Sequence, residues 1–155
     1  MDLLFPEILD IFEKAKTRAD KVLVLKKHEV PALRGVLRIN FDKNIKMDLP
    51  EGEPPFRKEL DRPAGYQETN LVREYRRFYI WLDPKQNLPR IRKEKLFIEM
   101  LEGLHHSEAQ LLCMAKDRQL QTKWKSLKED IVREAYPNLL PPIEEVKKEA
   151  KVPLQ

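Results

Sequence analysis

The chain has 155 residues, with 30 Lys and Arg against 26 Asp and Glu, a formal charge of +4 and 36% charged side chains. That length fits one domain with a core of its own. Four glycines are too few for a phosphate-cradling loop or a turn-rich β-sandwich, the single Cys113 excludes an internal disulfide and a multi-cysteine zinc site, and no aliphatic run longer than Val22–Leu25 offers a membrane span.

The opening Met1-Asp2-Leu3-Leu4-Phe5-Pro6 is acidic before a very short apolar stretch, which does not read as a secretory signal. A soluble, cytosolic protein is expected. From Phe5 to about Thr17, Ile8, Leu9, Ile11 and Phe12 fall at helical spacing, with Pro6 in the first turn and Glu7 and Asp10 at the positive end of the dipole. A second helix is expected from Asp20, as its N-cap, to about Lys27. Val22–Leu25 has strand-like branching, but its flanks lack hairpin turn chemistry. After Val30-Pro31 a third helix carries Leu33, Val36, Leu37 and Phe41 as its apolar stripe. Helices two and three have the outline of a helix-turn-helix. The start Pro31-Ala32-Leu33 is too apolar to read bases, so an ordinary helical hairpin is the better reading.

Residues 42–68 hold Pro50, Pro54, Pro55 and Pro63 with Gly52 and Gly65. Proline fixes φ and lacks a donor, so neither a helix nor a central strand fits here. The stretch is expected to drape over the body or move freely, with Leu49, Phe56, Leu60 and Tyr66 as possible anchors. Thr69 is expected to cap a helix to Leu82, on which Leu71, Tyr75, Phe78 and Leu82 make one stripe. Pro89 opens the next helix, to about Glu102, with Gly103 as its stop. Ser107-Glu108-Ala109-Gln110 and Ser126-Leu127-Lys128-Glu129 read as capping boxes for two more helices, the second ending at Tyr136-Pro137. The expected fold is all-α, a compact bundle of six or seven short helices with a long proline-rich connection over about 42–68. One domain covers 1–137, and 138–155 is a proline-flanked, charged, loosely held tail.

Few constellations support chemistry. Glu102 and His105 have the Glu-x-x-His spacing of di-iron bundles, but the second copy of that motif is missing. His105, His106 and Cys113 lack metal-ligand spacing. Cys113 sits in the apolar run Leu111–Ala115 and reads as an inert core thiol. The Glu-x-Lys pairs of the tail, Glu145/Lys147 and Glu149/Lys151, stand on a helix and not on the strand a metal-dependent nuclease needs. With no phosphate loop and no hydrolase or zinc-protease motif, the chain reads as non-enzymatic, with no cofactor and no metal.

What remains is a concentration of charge. Residues 70–95 hold eight basic side chains against three acidic ones, a net of +5, while the segments on either side are close to neutral. Arg73, Arg76, Arg77, Arg90, Arg92, Lys93 and Lys95 can grip phosphates or meet an acidic protein surface. Tyr79 and Trp81 are the aromatics left off the core stripe, available to stack on bases.

Two groups of residues carry a family resemblance. One is Val24-Leu25-Lys26-Lys27-His28 with Pro31-Ala32-Leu33-Arg34 and Leu49-Pro50-Glu51-Gly52-Glu53-Pro54-Pro55-Phe56. The other is the run Leu96–His105 with Glu108-Ala109 and Glu134-Ala135-Tyr136-Pro137. Together, over about residues 3–137, they resemble a family of small uncharacterised proteins of T4-like myoviruses, marine cyanophages and their relatives. The resemblance implies a phage protein made in the host cytoplasm and transfers no site. Two roles follow as expectations. One is an accessory protein of nucleic-acid metabolism, binding nucleic acid or an acidic replication or transcription partner through 73–95. The other is a virion or assembly component packing through the 42–68 connection and the tail.

Overall fold

Ten residues from Phe5 to Lys14 form helix α1 of the computed structural model, which describes residues 3–142. The Glu7 carboxylate accepts the Leu4 N–H at 2.8 Å, and Phe5, Ile8, Leu9 and Phe12 face the core while Ile11 is exposed. Helix α2 runs Arg18–Lys27. Its cap is Thr17 and not Asp20: the Thr17 hydroxyl accepts the Asp20 N–H at 3.1 Å, so Asp20 sits in the first turn. Val22 and Leu25 point inward at helical spacing, which settles that stretch as helix. Helix α3, Pro31–Phe41, buries Leu33, Val36 and Leu37.

The next expected helix is broken. Asn70, not Thr69, caps it, its side-chain oxygen accepting the Arg73 N–H at 2.9 Å. Helix α4 covers Leu71–Glu74, a 3-10 turn covers Tyr75–Arg77, and α5 covers Tyr79–Leu82. Helix α3 packs against this break. A Cβ at Gly35 would stand 2.3 Å from a ring carbon of Tyr75, so the tyrosine ring lies directly on the glycine. Bonds from Phe78 N–H to Tyr75 O (3.0 Å) and Trp81 N–H to Phe78 O (3.1 Å) tighten the chain there. The tightening turns Ile80 and Trp81 inward, and neither belongs to the stripe read from a regular helix.

Helix α6 covers Arg90–Gly103, α7 covers His106–Lys116, α8 covers Leu120–Lys123 and α9 covers Glu129–Ala135. The short α8 has no counterpart among the expected elements. It follows Arg118, whose φ of 60° turns the chain, and the Leu120 N–H is taken by the Asn40 side chain at 3.1 Å. Both expected serine caps are displaced. His105 caps α7, its Nδ1 accepting the Ser107 N–H at 3.2 Å. Ser126 gives its N–H and hydroxyl to Glu13 on α1, and Lys128 occupies the cap of α9.

Helix α7 is the central element. It packs against α1, α3, α6 and α8, and buries Ala109, Leu111, Leu112, Cys113 and Ala115. Helix α3 lies on α7 and α4, whereas α2 lies on α1 and α9, so the expected hairpin of helices two and three has its two arms on different neighbours. Among the described residues the fold is all-α, with more and shorter helices than expected.

From 42 to 70 the chain forms neither helix nor strand. It is held by the body through its backbone. The Asp48 N–H donates to Trp81 O at 2.8 Å, the Arg57 N–H donates to Glu102 at 2.8 Å, and Lys116 donates to the carbonyls of Pro50 (2.7 Å) and Gly52 (3.0 Å). Met47 and Leu49 are buried and Phe56 packs against the core, but Leu60 and Tyr66 are exposed and anchor nothing. Leu140 is buried too, so core packing reaches past residue 137. The tail helix expected around 143–151 lies outside the described residues.

Candidate functional site

Among the described residues, Cys113, Glu102 and His105 are engaged by the fold, while Glu145 and Glu149 lie outside the described residues. Cys113 is buried on α7, and burial pushes its thiol up to about 12, far from a reactive thiolate. The Glu102 carboxylate receives the Arg57 N–H, so it is turned to the 42–70 connection. His105 bridges that connection and α7: Nε2–H donates to the Arg62 carbonyl at 3.0 Å while Nδ1 accepts from Ser107. The His106 ring lies 4.3 Å from it, and burial, with the nearby Lys123 charge, holds its pKa below the usual histidine value. Among the described residues, no three His, Cys, Asp or Glu side chains gather as a metal site would need.

The basic segment divides once side chains are placed. Trp81 leaves the set of binding candidates. It is 1% exposed, its indole N–H donates to Lys93 O at 2.9 Å, and its ring meets Phe97 edge-on at 5.5 Å. Lys93 leaves it as well. Its stem is buried and its ammonium pairs with Asp48 at 2.9 Å, a partner from the 42–70 connection. That hydrogen bond, and to a lesser degree the Lys93 and Arg90 charges, hold the Asp48 carboxyl below the usual range. Arg77 is half-exposed and paired with Glu74 at 2.9 Å.

Six cations of the segment remain: Arg73, Arg76, Lys85, Arg90, Arg92 and Lys95 are exposed and have no carboxylate partner among the described residues. Lys85 was not among the expected site residues, although its place in the charge block was visible. Two elements present five of these cations, and Lys85 lies on the loop between them. On α4, the turn after it and the start of α5, Val72, Arg73, Arg76 and Tyr79 all face outward, one or two per turn, with Tyr79 54% exposed. On the first turns of α6, Arg90, Ile91, Arg92 and Lys95 do the same, with Ile91 77% exposed.

The two elements run antiparallel. The Thr69 N–H donates to Gly103 O at 3.0 Å at one end, and Trp81 reaches Lys93 O at the other. Tyr79 therefore lies two residues from the junction that holds the start of α6, so the aromatic and the α6 cations belong to the same end of the pair. The arrangement supplies point charges and guanidinium forks for anionic oxygens, and one exposed aromatic ring. It supplies no nucleophile and no acid–base pair.

Two side chains essential to this geometry were not legible as such. Glu108 and Lys116 are charged residues on α7 that turned out to be buried. Apart from Asp117 beside Lys116, their partners lie tens of residues away in sequence, and local spacing does not signal them.

The profile of a protein family described as "Family of unknown function (DUF6433)" matches residues 8–122. That span contains the whole basic segment and stops inside α8. Neither the curated proteins nor the solved structures contain a match.

Proposed function

We propose that this chain, which belongs to the DUF6433 family of unknown function, is a non-enzymatic phage accessory protein that binds nucleic acid through Arg73, Arg76, Tyr79, Lys85, Arg90, Arg92 and Lys95. One observation carries the reading: six exposed cations within 23 residues have no carboxylate partner among the described residues, although the chain holds nearly as many acids as bases. Unpaired cations on one structural unit concentrate polyanions by long-range attraction and bind phosphates by displacing counterions.

The phage context rests on the sequence resemblance to T4-like myovirus proteins, and with it a role in the host cytoplasm. No helix among the described residues is long and apolar enough to cross a membrane. An acidic protein partner would use the same cations. The virion reading draws its support from Leu60 and Tyr66, which are exposed on the 42–70 connection. It is the weaker one, because the rest of that connection directs its backbone groups to its own body.

The test is a titration of single-stranded and duplex DNA at two salt concentrations, with the native chain and with the double variant R73Q/R76Q. Affinity is expected to fall steeply with salt, and the variant to show a shallower salt slope, by about one per phosphate contact removed. No binding of either DNA at low salt overturns the reading in favour of a protein partner.

A further inference from the structure

Helix α6 carries a second outward feature beside its cations. Ile91, Lys95, Ile98 and Glu102 recur at steps of four, three and four residues, so they stay in line along the helix. With Glu94 and Glu99 they line a shallow groove running over α6. Ile91 stands largely exposed at one end of this groove, and Ile98, half-buried, faces both this groove and the one walled by residues 49–55.

The charges along this face are ordered by sign. Its N-terminal half presents Arg90, Arg92 and Lys95, and its C-terminal half presents Glu99 and Glu102, with Glu94 between. None of the six is in an ion pair among the described residues. A face that is basic at one end and acidic at the other matches itself when turned end for end. Glu102 also accepts the Arg57 N–H of its own chain, so the freest acid of the face is Glu99. An antiparallel second copy sets Arg92 and Lys95 of each copy against Glu99 of the other, twice over by symmetry, with the isoleucines in the seam. A parallel copy would oppose like charges.

We infer that the chain self-associates through α6, as a two-fold antiparallel pair. One helix face is smaller than the roughly 800 Å² per partner of a stable dimer, so the pair is weak and forms at high protein concentration. The inference does not rest on nucleic-acid binding. Arg73, Arg76 and Lys85 lie off this helix, whereas Arg92 and Lys95 cannot face a second copy and a phosphate at once.

The experiment is sedimentation of the full-length chain from about 10 μM to about 1 mM, the range that a small interface requires. The native chain is expected to pass from monomer to dimer. R92E alone and E99K alone each place like charges across the pair twice, and each is expected to lose about tenfold or more in self-affinity. Mixed one to one, the two variants are expected to recover a heterodimer of native affinity, because Glu at 92 then meets Lys at 99 and the native Arg92–Glu99 contact survives. Ile91→Asp is expected to weaken the pair whatever its register. A native chain that stays monomeric throughout, or a mixture no tighter than its components, overturns the inference. Loss of DNA binding with dimerisation intact overturns only the function proposed above.

Discussion

The Glu108 carboxylate, 1% exposed in the first turn of α7, accepts the backbone N–H of Leu71 at 3.0 Å. Its other oxygen accepts the Phe5 N–H at 3.2 Å. Leu71 and Phe5 are the first residues of α4 and α1, so one buried side chain serves the unpaired donors of two helices while standing at the start of a third. Helix starts carry partial positive charge, which favours an anion at their meeting point.

Glu108→Ala removes both acceptors at once. Each buried N–H left without a partner costs about 1–3 kcal/mol, so a loss of roughly 2–5 kcal/mol is expected by chemical denaturation. Glu108→Gln keeps one acceptor oxygen and turns an amide NH₂ toward the other donor, so its loss is expected to be smaller. Equal stability of the alanine variant and the native chain would remove Glu108 from this role.

The same carboxylate makes a pH prediction. Burial pushes its pKa above the ordinary value of 4.5, outweighing the two N–H bonds that pull it down. Ionisation therefore opposes folding. The group's contribution is complete below 4.5 and is lost as pH rises through the folded-state value. The stability advantage of the native chain over Glu108→Gln should be largest near pH 4 and shrink toward neutrality. Asp48 and Asp130 behave in the opposite sense. Hydrogen bonds from Lys93 and Arg18 hold them below 3.8, so their contributions vanish only as pH falls beneath that value. An advantage that is flat from pH 4 to 7 would contradict the buried-carboxyl account.

Gly35 offers a test of why the 71–82 helix is broken. Alanine there would place its Cβ against the Tyr75 ring at 2.3 Å. Overpacking of this kind costs about 1–3 kcal/mol, against a gain of about 1 kcal/mol from better helix propensity. Gly35→Ala is thus expected to destabilise the native chain, yet to stabilise a Tyr75→Ala background, where only the propensity term survives. A double-mutant cycle with no coupling between the two positions would put the cause of the 3-10 turn elsewhere.

This turn also marks where the sequence stops being readable. Helices α1, α3 and α6 were legible because their apolar residues repeat without interruption and prolines mark their starts. The interior of 71–82 was not, because the Gly35–Tyr75 contact beside its break comes from another helix and Trp81 turns out to be core. Caps were misassigned for a related reason. Ser126 has the right chemistry for a cap, but Glu13 on α1 competes for it. Within the basic segment, the Arg77–Glu74 pair is three residues apart and could be read from spacing. The Lys93–Asp48 pair spans 45 residues and could not. The unpaired cations were legible as a block because local acids are scarce there, which needs no knowledge of the fold.

Lys116 controls the remaining part of the chain that lacks regular structure. Its side chain is 2% exposed, and its three donors are all used: Pro50 O, Gly52 O and Asp117 at 2.8 Å. Asp117 in turn accepts the Gly52 N–H at 3.0 Å, which closes the turn where φ of Gly52 is +89°. This clamp holds the 49–55 strip that walls a groove of about 390 Å³ against Phe97 and Ile98. Lys116→Met keeps the length and apolar stem but donates nothing. The carbonyls of Pro50 and Gly52 can turn to water, so the global cost is expected to stay near 1–3 kcal/mol. The local effect should be larger. Amide hydrogen exchange at Gly52 and its neighbours is expected to approach that of an open loop, while amides of α7 away from position 116 keep their protection. Unchanged exchange at Gly52 would mean that the buried Leu49 and the half-buried Pro54 and Phe56 hold the strip without the lysine.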